Sequence, residues 1–141
     1  ASKFYQRFLK SFPDTNFTML SKLRDKPNSI ERMDLIGDVK GRHVIIVDDM
    51  IDTGGTLTTA AQILKENGAS RVTAVICHGV LSGAGHQRIE ESEWLDELVI
   101  TDSIEQTENP KIQVVSCASS IAVAISAIVN SYSMDSHFET V

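Results

Sequence analysis

The chain has 141 residues and a mass of 15.5 kDa, enough for one domain that buries about 68% of its unfolded surface. Hydrophobic residues make up 42% and charged residues 23%, an ordinary globular balance, and no apolar run reaches the ~18 residues that cross a bilayer, so no membrane span is expected. Lys and Arg number 13 against 19 Asp and Glu, a net charge of -6 that disfavours a nucleic-acid surface and directs attention to a small partner.

Phe4, Tyr5, Phe8, Leu9 and Phe12 recur at helical spacing and predict a helix over Ser2–Ser11, ended at Pro13. Residues 17–20 read as a short buried strand. Residues 21–28, with Lys22, Arg24, Lys26 and Pro27, read as an exposed mobile loop. Leu35-Ile36 and residues 44–47, flanking Gly37-Asp38-Val39-Lys40-Gly41, suggest a hairpin-like connection into a central strand. That strand, Val44-Ile45-Ile46-Val47, is continuous and β-branched, which suits burial on both faces of a parallel sheet. Leu57, Ala60, Ala61, Ile63 and Leu64 mark the inner face of a helix that closes at Asn67-Gly68, a pair suited to a left-handed cap. Residues 71–77 give the next strand and complete a βαβ unit, for which a right-handed crossover is expected.

His78, at the end of that strand, reads as a packing or capping residue, and Ser82-Gly83-Ala84-Gly85 as a turn that opens a helix over residues 86–94. Residues 98–101 and 112–115 supply two further strands. Ile121, Val123, Ile125, Ile128 and Val129 make the last helix apolar around most of its circumference, so it is expected to pack against an absent segment or a second subunit. Residues 131–141 form a polar tail. Cys77 and Cys117 lie in or beside apolar runs without metal-type spacing, the pattern of two reduced, buried thiols in a cytosolic protein. The alternation of elements predicts an α/β fold, a doubly wound, mostly parallel sheet with helices on both faces.

The chemistry is concentrated after residues 44–47. Asp48 and Asp49 fall where the strand is expected to leave the core, at the carboxyl edge along which open α/β sheets bind ligands. In Asp52-Thr53-Gly54-Gly55-Thr56 the glycines admit positive φ and close approach of a ligand, while successive N-H groups and the Thr53 and Thr56 hydroxyls can cradle an anion. The following helix would add its orphan N-H groups to the same loop. Carboxylates repel phosphate but accept well from the hydroxyls of a sugar cis-diol, or hold a hydrated Mg2+. The loop thus suits a phosphate and the acids a ribose. Neither the mononucleotide P-loop pattern nor the dinucleotide glycine fingerprint occurs in the chain.

VIIVDDMIDTGGT resembles the phosphoribosyl-diphosphate binding motif shared by type I phosphoribosyltransferases and ribose-phosphate pyrophosphokinases. The flanks, residues 35–42 and His78-Gly79-Val80-Leu81-Ser82-Gly83, are similar to the synthetase pattern, and the resemblance runs over nearly the whole chain. It implies a C-terminal domain of phosphoribosyltransferase type in an enzyme that moves pyrophosphate from Mg-ATP to ribose 5-phosphate. It further implies ribose 5-phosphate contacts from Asp48, Asp49, Asp52, Thr53, Gly54, Gly55 and Thr56, with Mg2+ held indirectly by Asp48 and Asp49. Lys22-Leu23-Arg24 matches a Lys-x-Arg pair on a closing loop, which makes Lys22 and Arg24 the catalytic cations.

By the same resemblance, Ser133 and Phe138 are similar to tail residues at an allosteric phosphate site, Ser82 to Gly85 to a loop on the nucleotide side of the cleft, and a dimer-based homo-oligomer in the cytoplasm is implied. In the synthetases a strand and an acidic Gly-rich loop precede the first helix. With Ala1 in place of an initiator Met, this leads us to expect a fragment with little activity alone. A nucleobase phosphoribosyltransferase would share the motif but needs a base-recognition segment that is not evident here. A non-catalytic regulatory subunit is disfavoured by the intact Lys22, Arg24, Asp48 and Asp49.

Overall fold

The computed structural model describes residues 2–23 and 32–134, which divide into two compact units. One unit contains α1 (Ser2–Ser11) and α4 (Ala118–Asn130). The other, Thr18–Val115, holds β1 (Met19–Leu23), β2 (Arg32–Ile36), β3 (His43–Ile51), α2 (Gly55–Glu66), β4 (Arg71–Gly79), α3 (Gly85–Glu91), β5 (Glu97–Thr101) and β6 (Ile112–Val115). The architecture is α/β: β3-β4-β5-β6 form a four-stranded parallel sheet flanked by helices, and β1 and β2 a separate antiparallel pair.

Strand alternation decides the core. Val72, Ala74, Ile76, Leu98 and Ile100 are buried on one face of the sheet, where they meet Leu57, Ala61 and Leu64 of α2 and Ile89 of α3. Val44 and Ile46 join this cluster from β3, whereas their neighbours Ile45 and Val47 are 40% and 46% exposed. The expectation that residues 44–47 are buried on both faces is therefore corrected. Both crossover helices of this unit cover the same face, and a β-branched run alone does not reveal which of its alternate residues they reach.

Four further expectations change. Residues 17–20 are not a buried strand, since Phe17 is 49% exposed and the strand begins at Met19. Nor do residues 21–23 belong to a loop. They continue β1 and pair with β2, with Lys22 opposite Met33 and Leu23 opposite Arg32, so β2 pairs with β1 and not with β3 as a hairpin would require. Leu20 and Leu35 pack against the main core and explain why the pair is retained. Cys77 is exposed and Cys117 half-buried, so the buried setting expected of them is not found.

Residues Gly55–Glu66 form a helix because Leu57, Ala60, Ala61 and Leu64 bring four buried side chains onto one stripe. It stops as the sequence suggests. Asn67 is its C-cap, Gly68 takes φ +91, and the Ala69 N-H donates to the Leu64 carbonyl. The turns at the amino edge of the sheet are then stitched together. The Gly41 N-H donates to the Gly68 carbonyl at 2.7 Å, and the Ser70 N-H to the Arg42 carbonyl at 2.9 Å.

Asp96 completes that edge: its carboxylate accepts from the Val72 N-H at 2.6 Å and pairs with Lys65 at 2.8 Å. Burial works to raise its pKa, but the Lys65 and Val72 hydrogen bonds and the charges of Lys65 and Arg71 outweigh it and hold the carboxyl below its ordinary 3.8. A carboxyl whose folded pKa is depressed contributes stability that is complete above the unfolded pKa and lost as pH falls through the folded one. Asp96→Asn should therefore lower the thermal midpoint at neutral pH and do so progressively less below about pH 3.8. Equal shifts at both ends, measured by circular dichroism melts, would refute the assignment.

Candidate functional site

β3 carries the acids. The strand does not end before them; it continues to Ile51, with Asp48 opposite Ile76, Met50 opposite His78 and Ile51 opposite Gly79. Cross-strand pairing with β4 outweighs the poor strand propensity of aspartate. Asp48 and Asp49 are both exposed in the carboxyl-terminal half of the strand, and the Asp48 carboxylate accepts from the Asp49 N-H at 2.9 Å.

The loop follows directly. Gly54 is the N-cap of α2 at φ +77, ψ -10, a left-handed conformation that side chains resist, and no side chain caps this helix end. The first turn carries no acid. Its carbonyls, in contrast, are used: the Gly54 oxygen accepts from the Thr58 N-H at 3.0 Å, and the Thr59 hydroxyl donates to the Gly55 oxygen at 3.0 Å. A helix start without a side-chain cap and with its carbonyls engaged can take an anion. Asp52, Thr53 and Thr56 are exposed beside it, Gly54 is buried and Gly55 half-buried. Asp48, Asp49 and the residues 52–56 thus come together on one strand-loop-helix connection, with hydroxyl acceptors preceding anion donors.

The family follows from this connection and its surroundings. The phosphoribosyl synthetase-associated domain family matches residues 11–139. The chain belongs to that family. The ribose-phosphate pyrophosphokinase of Caulobacter vibrioides is 46% identical over 134 residues, covering 92% of this chain and 43% of that protein. The enzyme of that name from Vibrio cholerae is 44% identical over 133 residues. Among solved structures, phosphoribosylpyrophosphate synthetase from Mycobacterium smegmatis superposes with a TM-score of 0.79 at 32% identity, over 92% of this chain and 42% of that one. This phosphoribosyl synthetase-associated domain therefore spans about two fifths of the length of the relatives it matches.

Lys22 lies on β1, and Arg24, like Phe138 of the tail, lies outside the described residues. His78 is exposed, so a packed setting is not found; its Nδ1 is 2.9 Å from the Ser103 hydroxyl. No group of three or more His, Cys, Asp or Glu among the described residues could hold a metal by itself. An open cleft of about 640 Å3 lies between α2 and α3, lined by Thr58, Gln62, Arg88, Glu91 and Trp94 among others, and the acids on β3 take no part in it.

Two residues outside the expected ligand set touch the loop of this family member. The Ser82 hydroxyl donates to the Asp52 carboxylate, and Arg88 Nη1 donates to the Thr53 carbonyl. Ser82 stands in a glycine-rich turn, a visible signal of a loop if not of its target. Arg88, in the middle of α3, gave none.

Proposed function

We propose that this chain is the C-terminal, ribose 5-phosphate-binding part of a ribose-phosphate pyrophosphokinase. The carrying observation is the uncapped, glycine-led start of α2 placed directly after the acid pair on β3. In this reading residues 52–56 hold the 5-phosphate through loop and first-turn N-H groups, with the Thr53 and Thr56 hydroxyls beside them. Asp48 and Asp49 accept from the ribose hydroxyls and fix the sugar so that its anomeric oxygen faces the nucleotide. The anomeric hydroxyl attacks the β-phosphorus of ATP and releases its proton to solvent, a new sugar oxygen-phosphorus bond forms, and the bond from the β-phosphorus to the oxygen bridging it to the α-phosphate breaks. AMP leaves with that oxygen and phosphoribosyl diphosphate remains.

Lys22 and Arg24 are proposed to neutralise charge on the transferring group. Two adjacent carboxylates fit Mg2+ only as an ion shared with substrate oxygens and water, which is how Mg2+ is usually held in phosphoryl-transfer sites. Asp48 and Asp49 would hold it in that way, and it would supply charge neutralisation on the phosphates. No helix among the described residues is long and apolar enough to cross a membrane, and a cytoplasmic enzyme is the reading we adopt. The last helix supports assembly: Ile121, Ile125, Ile128 and Val129 are all more than half exposed, and a dimer-based homo-oligomer would cover such a surface.

The relatives are more than twice as long as this chain, so we expect it to bind ribose 5-phosphate weakly and form little AMP by itself. An amide NMR titration tests the binding. Resonances of residues 52–58 should shift saturably with ribose 5-phosphate and respond less to inorganic phosphate. A dispersed spectrum indifferent to the sugar phosphate would count against the proposal.

A further inference from the structure

For the N-H groups of an anion-binding loop to face a ligand, the carbonyls of the same peptide units must face away, and each then needs a donor on the far side. The carbonyls of Ile51, Thr53, Gly54 and Gly55 meet that requirement in two ways. The Gly54 and Gly55 carbonyls are served from within α2, by the Thr58 N-H and by the Thr58 and Thr59 hydroxyls. Those of Ile51 and Thr53 are served from the segment that joins β4 to α3 and from α3 itself. The Val80 and Leu81 N-H groups donate to the Ile51 oxygen at 2.9 and 3.3 Å, and Arg88 Nη1 donates to the Thr53 oxygen. Ser82 adds its hydroxyl to the Asp52 carboxylate.

That segment is shaped for close approach. Leu81, 5% exposed, is held at φ +46, a conformation that a bulky residue adopts only under constraint, and Gly83 follows at φ +57. A Cβ on Gly85 would stand 3.1 Å from the Asp52 carbonyl, and one on Gly54 would stand 3.5 Å from Ile89 Cδ1. The loop therefore rests on the 80–89 segment over its whole length. Arg88 is also a fixed positive charge at the back of the loop, 4.0 Å from where a Gly55 Cβ would lie, in a connection that carries Asp48, Asp49 and Asp52.

We infer that Arg88, assisted by Ser82, is a positioning residue that presets the phosphate loop before any ligand arrives. This rests on the ribose 5-phosphate reading above. Bracing from behind removes the ordering cost that a free loop would incur on binding, and so acts on the phosphate group rather than on the ribose. Arg88→Met keeps the length and helix propensity of the side chain but removes the donor and the charge; Arg88→Lys keeps both charge and a donor.

The test measures dissociation constants for ribose 5-phosphate and for inorganic phosphate by amide shifts on the full chain, with hydrogen exchange of residues 54–57 in the ligand-free state. Arg88→Met is expected to weaken both ligands about 10-fold, the size of a lost charge-assisted hydrogen bond, and to speed exchange in the loop while the thermal midpoint stays put. Arg88→Lys should recover most of the affinity, and Ser82→Ala should show a smaller loss. Unchanged phosphate affinity in Arg88→Met, or loop exchange as slow as in the parent chain, overturns the inference. If the parent chain ignores ribose 5-phosphate, the functional reading fails, and the brace stands or falls on the ligand-free exchange of Arg88→Met.

Discussion

Ile89→Ala is expected to lower the stability of the sheet-bearing unit by about 2–5 kcal/mol, the range for a fully buried aliphatic side chain cut back to its Cβ. Ile89 is 0% exposed and sits in the core cluster between the sheet and α2. It also lies beneath the loop that opens α2, with Cδ1 and Cγ1 at 3.5 and 3.8 Å from the position of a Gly54 Cβ. The cavity would thus open directly beneath Gly54. Urea unfolding should give a lower midpoint with an unchanged slope, because the surface exposed on unfolding is nearly the same. A loss below about 1 kcal/mol would mean that the neighbours collapse into the space, contrary to the packing described here.

Asp48→Asn has the largest expected effect on recognition. The change leaves an oxygen that can still accept from the Asp49 N-H, so the local backbone should hold. On the proposed reading it removes a charged acceptor for sugar hydroxyls, worth about 1.5–3 kcal/mol, or roughly 10- to 100-fold in the dissociation constant of ribose 5-phosphate. Inorganic phosphate lacks those hydroxyls and should bind as well as before, or slightly better for the loss of a like charge. Isothermal calorimetry with both ligands decides. Parallel losses would assign Asp48 to the loop's architecture, and no loss at all would remove it from the ribose site.

The strand-loop-helix connection from β3 to α2 was legible because several local signals coincide there. Four β-branched residues, two acids, paired glycines and an Asn-Gly stop occupy the right order, and each acts over only a few residues. The β1-β2 pair was not legible. Met19 to Leu23 contains a serine and a lysine, and its stability comes from a partner across residues 24–31 and from Leu20 and Leu35 against the core. Such tertiary pairing overrides a weak local pattern. The same reason hid the contact between Arg88 and Thr53, which are 35 residues apart in sequence. Residues 44–47 misled in the opposite direction, since their composition was read as two-sided burial while Ile45 and Val47 remain exposed.

The two rims of the parallel sheet are finished differently. At the amino rim, Gly41 and Gly68, Arg42 and Ser70, and Asp96 with Lys65 and Val72 tie every turn to its neighbour. Lengthening any of these turns would break bonds on two segments at once. At the other rim, Gly83 has open space around its Cβ position but stands between Ser82 and Arg88, which both hold residues 52–53. Added length there would cost little in loop-closure entropy, about 0.6 kcal/mol for each doubling, but would part those two supports. Inserted segments at this rim would therefore alter the loop after β3 while leaving intact the edge that keeps the sheet folded.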